Sequence, residues 1–182
     1  MSEQTRTGPS RTAVVTGAVL AGVLAVGVVV ASRLLPGADE PAERSGPVGL
    51  VPVDAPTAGS AECAALLAAL PAELPNGDKP LAKLPLMDPA PQGAVAWGDR
   101  VGDPVVLRCG LGKPPELAPD SALRAVSGVQ WLPVDGETSS TWFVVDRPVY
   151  VALTQPHDVG TGPLQTVSEV VGRALLAQAV QP

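Results

Sequence analysis

Hydrophobic positions along the chain fall into three regimes. The first is an unbroken run at residues 12–32, TAVVTGAVLAGVLAVGVVVAS, with no charge between Arg11 and Arg33. Wound as a helix at about 1.5 Å per residue, it spans the roughly 30 Å hydrocarbon core of a bilayer. A secretory signal normally has an apolar core of only about 7–15 residues. The expectation is therefore an uncleaved transmembrane helix at residues 12–33 behind a cytoplasmic stub at residues 1–11. Secretion after cleavage near Val29 and Ala31 is the alternative. Arg6 and Arg11 before the run balance Arg33 and Arg44 after it in the positive-inside count, and the short stub favours an N-terminus left in the cytoplasm. The second regime, residues 34–47 (LLPGADEPAERSGP), mixes Pro, Gly and charge without a period, which is linker composition.

In the third regime, residues 48–180, short apolar stretches alternate with turn residues. Residues 48–53 read as an edge strand, because Pro52 cannot donate to a central ladder. Within residues 58–70, Cys63, Leu66, Leu67 and Leu70 recur at i, i+3, i+4 and i+7, the stripe of a helix. Thr57 or Ser60 can cap its start and Pro71 stops it. Residues 71–91 hold six prolines and are expected to form an irregular loop. Strand signals follow at residues 94–97, 105–109, 129–134, 141–145 and 149–154, with Asp135-Gly136 marking a loop and Asp146-Arg147-Pro148 a tighter turn. A closing helix fits residues 163–178, with Leu164, Val167, Val170, Val171, Ala174 and Leu175 on one face. The order β-α-β-β-β-β-β-α predicts an α+β domain, an antiparallel sheet covered by two helices and preceded by one transmembrane helix.

Composition narrows this picture. Hydrophobic residues make up 46% of the 182, too many for a disordered chain, while 21 Pro and 19 Gly exclude a coiled coil or helical bundle. The net charge of -6 excludes the basic stripe of a nucleic-acid binder, so no nucleic-acid partner is expected.

The two cysteines lie on faces that turn inward. Cys63 is on the helix stripe, and period-2 alternation puts Val105, Leu107 and Cys109 on one face of their strand. Outside the cytoplasm the pair is expected to form a disulfide; two separate buried thiols are the alternative.

Candidate chemistry is sparse. His157, the single histidine, sits in a loop after a strand, where a side chain usually faces solvent. No G-x-G-x-x-G or G-x-S-x-G occurs, CGLGKPP at residues 109–115 lacks P-loop spacing, and two Cys with one His make a poor zinc site. Neither cofactor nor metal is expected. Asp99 and Asp103 flank Arg100 in what reads as a charged hairpin loop. Arg108 is mid-strand on the face opposite Cys109, where its guanidinium can meet an acid of the chain or a ligand carboxylate. Trp97 is one of three strand tryptophans that could serve a binding groove if exposed. Arg108, Trp97 and Asp99 are therefore the candidate binding residues; no catalytic residue is assigned.

Five segments, VPVDAPTAGSAECAALLAALP, AVAWGD, VVLRCG, GVQWL and DRPVYVALTQP, together resemble an uncharacterised actinobacterial family of membrane-anchored or secreted proteins. The resemblance implies a location outside the cytoplasm behind one hydrophobic segment, and lends no activity. The expectation is a membrane-anchored extracytoplasmic protein acting as a non-enzymatic binding or envelope-assembly module. Its partners would be the lipid bilayer, through the N-terminal helix, and an envelope protein or cell-wall component. The alternative is an extracytoplasmic hydrolase acting on cell-wall material, which would need a cleft holding two titratable groups at catalytic distance.

Overall fold

A computed structural model describes residues 45–182; the stub, the expected transmembrane helix and the linker up to residue 44 lie outside the described residues. Among the described residues, no helix is long and apolar enough to cross a membrane.

The first helix, α1 (Ala61–Ala69), begins where Ser60 Oγ accepts a hydrogen bond from Cys63 N at 3.2 Å. It ends at Leu70, before Pro71. Cys63, Leu66 and Leu70 are buried and Leu67 packs against them half-buried, so the stripe faces the core as expected.

Eight strands follow: β1 (Glu73–Leu74), β2 (Leu81–Leu84), β3 (Ala94–Gly98), β4 (Val105–Leu111), β5 (Arg124–Val126), β6 (Val129–Asp135), β7 (Ser139–Val144) and β8 (Tyr150–Pro156). They form one sheet in the order β1-β2-β3-β4-β8-β7-β6-β5, with every neighbouring pair antiparallel. The sheet is thus two four-stranded meanders joined by the pairing of β4 with β8. A second helix, α2 (Gly162–Ala174), lies with α1 on one face, making the α+β architecture read from the sequence. Trp97, Val105, Leu107, Cys109, Trp131, Val151 and Leu153 point into this layer and are fully buried. Burying one such tryptophan contributes at most about 4–6 kcal/mol by its area.

Three expectations need correction. Residues 48–53 are not a strand: Val48 makes one parallel bridge to Leu86, and Val51 and Val53 stay 76% and 52% exposed. Pro52 lacks an N–H, and Val51 and Val53 stay in solvent, so the segment has neither a continuous ladder nor the buried face of a strand. Residues 71–91 are not wholly loop, because β1 and β2 fit between Pro71, Pro75, Pro80 and Pro85 and bury Leu74, Leu81 and Leu84. The closing helix stops at Ala174 rather than Gln178, since Gln178 N instead donates to Asp146 O at 2.9 Å and draws the chain across the sheet. Its expected face holds: Leu164, Val167, Val170, Val171 and Leu175 are buried and Ala174 packs half-buried.

On the opposite face a smaller cluster of Leu117, Leu132 and Val145 packs with Phe143, Tyr150 and Val180. The β7–β8 turn beside it holds a buried ion pair, Arg147 Nη1 to Asp146 Oδ2 at 2.8 Å, and Arg147 Nη2 also donates to Gly128 O at 3.2 Å.

Cys63 and Cys109 form a disulfide with Cα atoms 5.6 Å apart. Gly110 brings them together. At φ +86° it allows a register shift in β4, and a Cβ there would lie 2.2 Å from Ala58 N, so only glycine lets the lead-in to α1 approach this closely. Thr57 N donates to Gly110 O at 3.0 Å in that contact.

Candidate functional site

The three residues singled out from the sequence go to three different places. Trp97 is fully buried under the helices, and its Nε1 donates to Pro71 O at 3.1 Å. Lys83, its cross-strand partner on β2, holds Nζ 5.9 Å from the ring centroid. Arg108 pairs with Ala94 and Ala152 in register, which puts it on the other face of the sheet from Trp97. It is half-buried, and its Nη2 donates to Val51 O at 2.8 Å, tying residues 48–57 to the centre of the sheet. Burial lowers its pKa from the ordinary value, but a guanidinium remains charged at any working pH.

Asp99 is exposed in the β3–β4 turn, where its Oδ1 accepts from Val101 N at 2.9 Å and Gly102 N at 3.1 Å. These two bonds, Val101 first, hold its carboxyl below the usual range, with Lys79 adding a small electrostatic contribution. Asp99 therefore shapes the turn as an anion. His157 is exposed after β8, as its loop setting suggested. Among the described residues, no group of three His, Cys, Asp or Glu side chains could hold a metal ion.

The turn that Asp99 organises forms one wall of a cleft of about 300 Å³. Arg100, Gly102, Asp103 and Pro104 line it from this turn, with Leu84 of β2 and residues 45–49 completing the described lining. That volume is at the lower end for a small-molecule pocket. Each wall is fixed independently. Asp99 holds the turn, while Val48 N donates to Pro85 O at 2.8 Å and Val48 O accepts from Met87 N at 2.9 Å. Arg100 sits at φ +68°, a left-handed conformation that costs a non-glycine residue about 1 kcal/mol or more. In the sequence Arg100 stands out only as the residue between two acids. The glycines on both sides of the cleft, in SGPVG and GDRVGDP, were the available signal.

The family profile described as a protein of unknown function (DUF3515) matches residues 18–180. The chain belongs to that family. The match begins inside the apolar run and continues through α2, so this DUF3515 chain carries the family pattern over the whole described fold up to residue 180. Comparison with curated proteins and with solved structures finds no match.

Proposed function

We propose that this DUF3515 protein is a membrane-tethered, extracytoplasmic binding module whose ligand enters the cleft between residues 45–49 and the β3–β4 turn. The observation that carries the reading is the Cys63–Cys109 disulfide at the heart of the core. Such bonds form and persist mainly in oxidising compartments. The uncharged run at residues 12–32 is the feature that would deliver and hold the domain there. The cleft supports binding as the role, because both its walls are held in place before a ligand arrives.

A photoreactive side chain introduced at Gly102 tests the cleft in living cells. Among the described residues, a Cβ there meets Asp99 Oδ1 at 4.0 Å, an ordinary van der Waals contact. Illumination is expected to give adducts from position 102 and none from exposed Arg173 on α2. Equal labelling from both positions, or from neither, would overturn the assignment of the cleft.

A further inference from the structure

We propose that Asn76 is a site of spontaneous covalent modification, at which the fold assists cyclisation onto Gly77 and hydrolysis to aspartate and isoaspartate.

Asn76 is the single asparagine of the chain, and glycine follows it. The pair lies in the turn between β1 and β2. Gly77 is exposed at φ +54°, and a Cβ there would meet nothing within 4 Å among the described residues. Without a side chain to shield it, its backbone nitrogen is open to act as a nucleophile, and it makes no hydrogen bond among the described residues. The Asn76 side chain is gripped from elsewhere in the fold. Gly160 N, in the loop before α2, donates to Asn76 Oδ1 at 3.1 Å. Asn76 Nδ2 makes no hydrogen bond among the described residues. The donor thus sits on the oxygen where negative charge develops, while nucleophile and leaving group are unencumbered.

Gly77 N gives its proton to water or hydroxide and attacks Asn76 Cγ, forming the N–Cγ bond. The carbonyl electron pair moves onto Oδ1, where the Gly160 N–H stabilises it as a backbone donor stabilises an oxyanion. The pair returns, the Cγ–Nδ2 bond breaks, and Nδ2 takes up a proton and leaves as ammonia. A cyclic succinimide remains, and water adds to one of its carbonyls. Breaking the new N–Cγ bond gives aspartate with the backbone restored. Breaking the original peptide bond instead gives isoaspartate, with the chain running through Cβ and Cγ. The sum converts an amide and water into an acid and ammonia, without oxidant or reductant.

The two products act differently on the joint. Aspartate keeps an oxygen where Gly160 N needs one. Isoaspartate adds a carbon to the backbone of the turn and routes the chain through the group that Gly160 holds. Lys79 N, which closes the turn on Asn76 O at 3.1 Å, then loses its peptide acceptor. Gly162 approaches Pro75 so closely that an added Cβ would lie 2.5 Å from Pro75 O, so the lead-in to α2 is packed against the part of the chain that must shift.

The test incubates the full chain in detergent micelles at neutral pH. Peptide mapping by mass spectrometry, with fragmentation that separates isoaspartate from aspartate, follows residue 76. Both products are expected there, with ammonia released in equal amount, while the glutamines stay intact. The chain unfolded in guanidinium chloride with its disulfide reduced supplies the rate of the sequence alone. The folded chain should convert at least as fast, because the Gly160 donor exists only in the fold. Gly77→Ala, which crowds the nucleophile, should slow conversion about tenfold or more. Asn76→Gln, whose longer side chain would have to close a larger ring, should give no product. In the isoaspartate fraction, hydrogen exchange should rise at Lys79 and Gly160 while β4 and β8 stay protected. A folded chain that converts more slowly than the unfolded one, or a rate unchanged by Gly77→Ala, would overturn the proposal.

Discussion

Asp99 and Gly110 show how single residues set local geometry here. The Asp99 carboxyl has a lowered pKa in the folded chain, so the stabilisation it gives the turn is complete above the ordinary carboxyl value of about 3.9. That stabilisation is lost as pH falls through the lower folded value. The amide shifts of Val101 and Gly102 should therefore stay constant from pH 7 to about 5 and titrate together only below about 4. Titration near pH 5 or above would contradict the assigned hydrogen bonds. Gly110 is a harder constraint. Gly110→Ala places a methyl against Ala58 N at positive φ, and should destabilise by about 3 kcal/mol or more in chemical denaturation. Gly112→Ala, whose added methyl meets nothing within 4 Å among the described residues, should stay within about 0.5 kcal/mol. The cysteine faces and the charged turn at residues 98–104 were legible from the sequence, because alternation and turn chemistry are local signals. The burial of Asp146 and Arg147 was not. Those residues read as an ordinary turn, and only coverage by the chain after α2, through Gln178, takes them out of water.

At the scale of elements, the disulfide connects α1 to β4 across 46 residues of sequence. In the chain-entropy view it contributes up to about 4 kcal/mol. A Cys63→Ala/Cys109→Ala variant should lose up to that amount in denaturation of the full chain in detergent micelles, and reduction of the native chain should give a similar loss. Unchanged stability would mean that the bond is not formed in the native protein. Arg108 acts as a clasp between elements: its guanidinium holds the carbonyl of Val51 over the sheet. Arg108→Met, which keeps much of the aliphatic stem, should speed hydrogen exchange in residues 48–57 while leaving β4 and β8 protected. Exchange that rises equally in the central strands would assign Arg108 to the core instead. Helix positions followed from the i, i+3, i+4 pattern, and five of the six strands read from the sequence form, all but residues 48–53. β1 and β2 escaped notice because proline density masked them. In fact each strand lies between prolines and needs none of its own. β5 is three residues long, too short to show alternation, and the apolar residues 48–53 misled in the opposite direction.

At the scale of the whole molecule, the sheet order could not be read from sequence. The pairing of β4 with β8 joins segments far apart in the chain, and no local pattern specifies it. That pairing makes one wide sheet from two meanders, with the disulfide and both helices on one side. The cleft is at the end of the first meander, where β3 turns into β4. The central proposal is a binding domain tethered to a membrane. Protease added to intact spheroplasts of cells expressing the full chain tests it most directly. The account predicts that residues 45–182 are digested while a cytoplasmic control protein survives, and that a fragment containing residues 12–33 stays in the membrane. A domain that resists protease until the cells are lysed, or that is found free in the medium, would contradict it.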